Sequence, residues 1–217
     1  VSLARALNAT FELGLSIDEI NHVGWEGEFA YHGIPSGIDN TASTYGGLLC
    51  YRVENDQKSF ERIEVERPFR IVLANSGVTA DTSTLNDYVL GLKADDPDLF
   101  DERCRMITRQ SLAMRQALER YDLETVGGLL TDNHEILIEM GLSHDKLVEL
   151  CDRALEMGAH GAKLTGGGRG GYMVSLVPDE ETQERIASTF EEDGYAVIRA
   201  QIGGSPTRPA GDCRKGD

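Results

Sequence analysis

Basic residues are scarce in this chain: 21 lysines and arginines stand against 37 aspartates and glutamates, for a net charge of −16. That balance argues against nucleic acid or an anionic membrane as partner, because both need a basic footprint. A phosphorylated ligand is still allowed, since backbone N–H groups and a metal ion can hold one whatever the global charge. No apolar run approaches the ~18 residues of a membrane span, and no secretory leader opens the chain, so a soluble, cytoplasmic protein is expected. Cysteine is sparse as well. The four, at 50, 104, 151 and 213, lack CxxC spacing, which supports neither a disulfide framework nor a zinc site. Cys104 and Cys151 fall on apolar helix faces and are expected in the core. The five histidines show no HxxxH pattern. What remains is a chain of 217 residues, 40% hydrophobic, long enough for one large domain or two small ones.

The chain opens on "VSLARALNATFELGL", where Leu3, Leu7 and Phe11 share a helical face and Gly14 marks a stop. With no start methionine and no cap before it, this helix reads as cut from a longer protein. "SIDE" (16–19) has capping-box form and starts a second helix towards Ala30. A loop is expected next, then strands in "GGLLCYRVEN" and "SFERIEVE" around a polar turn, and a more buried strand at 69–76. Helical spacing follows at "TSTLNDYVLGLKA", at 103–121, more weakly at 123–141 where Gly127 and Gly128 interrupt, and at 143–157 with Ser143 as cap. A strand, a glycine loop, a second strand, a helix over 179–192 and a last strand complete a split βαβ, ferredoxin-like α+β order. Residues 203–217 are polar and rich in Pro and Gly, and are expected to be disordered.

Three stretches carry residues suited to chemistry. In "HGIPSGIDNTASTYGG" (32–47) a single acid, Asp39, stands among four glycines and five Ser, Thr or Asn residues. Such a segment can be turn filler, with the Asp satisfying backbone. It can equally bring a carboxylate close to a ligand. Glu28 lies eleven positions earlier, and two carboxylates converging on one pocket could hold Mg²⁺ and orient a hydroxyl, the two tasks of phosphoryl transfer. In "KLTGGGRGGYMVSLV", Gly166, Gly168 and Gly171 satisfy GxGxxG, but a strand follows where a dinucleotide site needs a helix. A tight hairpin would need one or two glycines. Five glycines and Arg169 in six positions point instead to phosphate, approached by backbone N–H groups and a guanidinium fork. In "SGVTADTSTLND", hydroxyls at a helix start either cap it or receive an anionic group, and spacing favours capping.

Taken together, these stretches resemble the GHMP small-molecule kinase family. "GEFAYHGIPSGIDNTASTYGG" is similar to its second signature, in the E-x-x-x-H-G-x-P-S-G-x-D-N version of the mevalonate-phosphorylating branch. "GAKLTGGGRGG" is similar to its third, K-L-T-G-x-G-x-G-G, with an Arg as in archaeal members. The resemblance covers residues 1–202. It implies ATP-dependent, Mg²⁺-assisted phosphorylation of the 5-hydroxyl of mevalonate, in isoprenoid biosynthesis. By motif position Asp39 would be the catalytic aspartate and Glu28 a Mg²⁺ ligand. Gly166, Gly167, Gly168 and Arg169 would lie near the transferred phosphate, and Tyr31, His32 and Thr82 would line the substrate site. The implied fold is α+β: the end of a ribosomal-protein-S5-like N-terminal domain in 1–68, and a ferredoxin-like C-terminal domain in 69–202.

The family's first signature, a triphosphate-cradling loop, is absent from these residues, as are its N-terminal lysine and Mg²⁺-binding serine. The chain alone is therefore expected to bind ATP poorly and turn over negligibly. Two alternatives stay open: another GHMP kinase acting on a phosphomevalonate, sugar or homoserine hydroxyl, or a non-catalytic fragment needing an N-terminal partner. A homodimer is compatible with the sequence and not required by it.

Overall fold

In a computed structural model describing residues 1–32, 35–54, 57–79 and 82–203, the chain opens with two helices, α1 (Ser2–Phe11) and α2 (Ile17–His32). The capping box between them is present: the Ser16 N–H donates to Glu19 Oε2 at 2.8 Å, and the Glu19 N–H to Ser16 Oγ at 3.3 Å. The segment expected as a loop contains a third helix, α3 (Ile38–Tyr45), entered through Gly37 at φ 87°. Its small polar residues give no apolar stripe, so periodicity could not reveal it. A two-stranded antiparallel hairpin follows, β1 (Leu48–Glu54) with β2 (Gln57–Ile63).

Strand β3 (Phe69–Asn75) leads into α4 (Thr82–Asp95), α5 (Pro97–Glu119), α6 (Leu123–Glu139) and α7 (Asp145–Glu156). Helix α5 starts earlier than the apolar spacing indicated. Asp96 caps it by accepting the Leu99 N–H, and Pro97 occupies the first turn, where a missing donor costs nothing. The cap of α7 also differs from expectation. His144 accepts the Lys146 N–H at Nδ1, while Ser143 Oγ is buried without a partner among the described residues.

Strands β4 (Gly161–Leu164) and β5 (Tyr172–Val177), helix α8 (Glu180–Glu192) and strand β6 (Val197–Ile202) complete the chain. The four-stranded sheet has order β4-β5-β3-β6 with antiparallel neighbours, the ferredoxin-like arrangement. Alternation along β3 divides the core. Val72 and Ala74 join Leu147, Leu150, Ile186 and Phe190 of α7 and α8 on one face. Phe69 and Ile71 join Ala117, Leu118 and Val126 of α5 and α6 on the other.

The glycines that weakened the reading of α6 are what let it dock. A Cβ on Gly127 would lie 2.3 Å from the His160 carbonyl oxygen, and one on Gly161 would lie 1.9 Å from that of Gly127. Helix and strand backbones touch there, which only glycine permits.

One burial expectation fails. Cys151 is buried, but Cys104 is exposed, because the buried residues of α5 are confined to its last turn, at Ala117 and Leu118. Leu3, Leu7 and Phe11 of α1 are 72%, 41% and 66% exposed, so that stripe is uncovered among the described residues.

Candidate active site

A cleft of about 1210 Å³ separates α2 and α3 from the end of the four-stranded sheet. Glu28 reaches it from α2, and Asp39 from the first turn of α3. Thr165 and glycines 166–168, 170 and 171, between β4 and β5, line the same cleft. The structure thus gathers both candidate carboxylates and the glycine loop around one space.

Asp39 is exposed in the cleft, at a helix N-terminus whose partial positive charge favours a carboxylate. Thr41 Oγ1 donates to the Gly37 carbonyl at 2.6 Å, and Asn40 Nδ2 donates to Asn21 Oδ1 at 2.8 Å, tying α3 to α2. The sharp entry at Gly37 is what turns Asp39 into the cleft, since few side chains adopt φ 87°.

The loop is shaped by backbone that bends where L-residues rarely do. Gly166, Gly168 and Gly171 have φ of 86°, 85° and 77°. Its underside is filled: a Cβ on Gly168 would lie 1.8 Å from the Leu142 carbonyl oxygen, and one on Gly167 2.5 Å from Leu85 Cδ2. Among the described residues, no protein acceptor takes the N–H of Gly166, Gly167, Gly168 or Gly170. Such donors on a glycine arc suit an anion.

Arg169 departs from its expected place. It is not part of the cleft lining; its guanidinium lies 3.7 Å from the centroid of the Tyr88 ring, and its Nε donates to the Gly141 carbonyl at 3.0 Å. Rather than forming a phosphate fork, it fastens the loop to α4 and the α6–α7 turn. Lys163 is also turned away, donating to Asn133 Oδ1 at 2.5 Å, and burial lowers its pKa from the usual lysine value. The described lining therefore carries three carboxylates, Glu28, Asp39 and Asp193, and no lysine or arginine.

The side chains of Tyr31, His32 and Thr82 lie outside the described residues, as do Ala80 and Asp81. Sequence reasoning missed Asn75, Ser76 and Asn86 on the cleft wall, together with Asp193 and Tyr195 at the α8–β6 turn. The signal available for the first two was a buried strand ending in Asn-Ser-Gly, the usual place for a strand to present polar groups. Asn75 Oδ1 accepts the Gly77 N–H at 2.8 Å, which shapes that exit.

Mg²⁺ prefers hard oxygen donors, keeps several waters, and takes one or two carboxylates plus substrate phosphates. Glu28 and Asp39 on a shared wall fit that donor set. Among the described residues no group of three or more His, Cys, Asp or Glu is placed to hold a metal.

Residues 1–47 match the family "GHMP kinases N terminal domain", and residues 114–196 match "GHMP kinases C terminal". Mevalonate kinase from Thermococcus sibiricus is 33% identical over 208 residues, covering 93% of this chain and 60% of that protein. Among solved structures, L. major mevalonate kinase in complex with R-mevalonate is similar with TM-score 0.87 and 32% identity, over 93% of this chain and 63% of that one. Methanococcus jannaschii mevalonate kinase is similar with TM-score 0.75 and 26% identity, over 92% and 60%. The chain spans about three fifths of the length of these relatives.

Proposed function

This chain belongs to the GHMP kinase family, and from that premise we propose that its cleft forms part of the active site of an ATP-dependent kinase acting on the 5-hydroxyl of mevalonate. The observation that carries the reading is that Asp39, Glu28 and Gly166–Gly168 line one cleft. Residues 1–68 supply Glu28 and Asp39, and residues 69–202 the glycine loop. The similarity to mevalonate kinases of archaeal and other origin supports this substrate.

Asp39 orients the acceptor hydroxyl and takes its proton as the hydroxyl oxygen bonds to the γ-phosphorus of ATP and ADP leaves. Glu28, with Asp39 beside it, would hold Mg²⁺, which neutralises charge on the phosphates when bound. The N–H groups of Gly166, Gly167, Gly168 and Gly170 face the developing charge of the transferred group. The loop is fixed by close backbone approach at Gly168 and α3 by hydrogen bonds at Asn40 and Thr41, so little reorganisation is needed at the moment of transfer.

The cleft also bears on the choice of acceptor. A second phosphate on the acceptor would need cations, and the described lining offers none. The resemblance to mevalonate kinases likewise favours mevalonate over phosphomevalonate. Coupled ADP release by the whole protein on mevalonate, phosphomevalonate, galactose and homoserine tests this. Turnover is expected on mevalonate, at least ~10-fold above the rest, a difference of ~1.4 kcal/mol in transition-state binding. Preference for a phosphorylated or sugar acceptor would contradict it.

A further inference from the structure

We propose that Tyr51 and Lys58, on facing strands of the β1–β2 hairpin, are positioning residues that set where Asp39 stands. The inference rests on reading Asp39 as the catalytic aspartate. Tyr51 Oη donates to the Ser36 carbonyl at 3.0 Å, and Lys58 Nζ donates to the Pro35 carbonyl at 3.0 Å. These bonds bridge 15 and 23 positions of sequence and end on consecutive carbonyls, directly before the Gly37 cap of α3. Tyr51 acts a second time at that cap, because a Cβ on Gly37 would lie 2.8 Å from its Oη.

The register explains how both side chains reach the same place. Tyr51 pairs with Phe60 and Val53 with Lys58, so these four residues share one face of the hairpin. Lys58 Nζ also stands 5.6 Å from the centroid of the Trp25 ring, which holds the ammonium between α2 and the cap.

Helix α3 needs such tethers. It has eight residues, too few to be stable alone, and its buried residues are Asn40, Thr41 and Thr44, all polar. With little apolar burial to seat it, its orientation is set by hydrogen bonds. Asn40 to Asn21 and Arg5 Nη2 to the Thr44 carbonyl fix its flank and end. Tyr51 and Lys58 fix its start, two residues from Asp39. Both target backbone carbonyls, so the side chains at 35 and 36 carry no trace of the contact.

Tyr51→Phe and Lys58→Met remove the donors while keeping the ring and the stem, and two measurements on the double variant decide the matter. In the full chain, amide exchange at Ile38 and Thr41 should quicken about 10-fold, with the β3–β5 amides unchanged. In the whole protein, kcat should fall about 10- to 100-fold with KM for mevalonate within about 3-fold, and Lys58→Arg should keep most of the rate. The proposal is overturned if exchange at α3 and kcat both stay within about 2-fold of wild type, or if exchange quickens equally across the sheet. Asp39→Asn is run alongside. If it keeps wild-type turnover, the catalytic reading fails, and exchange at α3 alone then decides whether the tethers hold the helix.

Discussion

Arg169 lies over the face of Tyr88, 3.7 Å from the ring centroid, and so the one cation of the glycine loop turns its charge away from the cleft. Its own backbone sits at φ 58°, unfavourable for an arginine, and the stacking and the Nε bond to Gly141 offset that strain.

Arg169→Ala should therefore destabilise the fold by about 1–2 kcal/mol, losing a cation–π contact and a hydrogen bond while keeping the strained backbone. Arg169→Gly should cost less, because glycine accepts that φ. Chemical denaturation separates the two variants. ATP affinity of the whole protein should stay within about 3-fold in both; a phosphate ligand would lose at least ~10-fold, about 1.4 kcal/mol.

Adjacent glycines of α6 should respond oppositely to alanine. Gly127→Ala forces a methyl to within 2.3 Å of the His160 carbonyl oxygen, and a loss of about 3 kcal/mol or more is expected as α6 and β4 separate. Gly128 has nothing within 4 Å of where its Cβ would stand, and Gly128→Ala should gain about 0.5–1 kcal/mol from helix propensity alone. Urea melts of both variants check the pair.

His134 makes stability depend on pH. It is 5% exposed, its Nδ1 accepts the Leu164 N–H, and burial, helped by the nearby Lys163 charge, holds its pKa below the ordinary 6.5. Between the lowered value and 6.5 the unfolded chain binds a proton that the folded chain refuses. Its contribution is complete above pH 6.5 and is lost as pH falls towards the folded value. His134→Asn keeps an acceptor near Nδ1 and removes the titration. Unfolding free energies from pH 7.5 downward should fall less steeply in the variant, which isolates this group from the other histidines.

Much of this was legible in the sequence, for reasons that differ by element. Helix α7 carries strong periodicity and β3 a short apolar run, and packing agreed with both. The strand–loop–strand reading of "KLTGGGRGGYMVSLV" was correct because "YMVSLV" alternates. Helix α3 was hidden, since its residues are small and polar and tertiary hydrogen bonds, not an apolar stripe, hold it. Gly127 looked like an interruption because its role depends on a strand 34 positions later, at Gly161. The contact of Arg169 with Tyr88 was hidden for a related reason: the ring comes from α4, and spacing within the loop says nothing of it. Glu28 and Asp39 were singled out from residue type and motif; that they line one cleft needed the fold.

Gly37 should tolerate no side chain. It combines φ 87° with Tyr51 Oη 2.8 Å from a Cβ, so Gly37→Ala should cost about 1–3 kcal/mol locally and misplace Asp39. Thermal melting and kcat should both fall. The Gly37→Ala/Tyr51→Phe pair should recover part of the melting loss by relieving the contact.

The central claim is that Asp39 carries the phosphoryl transfer, and Asp39→Asn tests it most directly, since the amide matches the carboxylate in shape and cannot take the proton. With mevalonate and Mg²⁺-ATP saturating, kcat of the whole protein should drop at least ~10²-fold while Tm stays near wild type. A kcat within a few-fold of wild type would contradict the account.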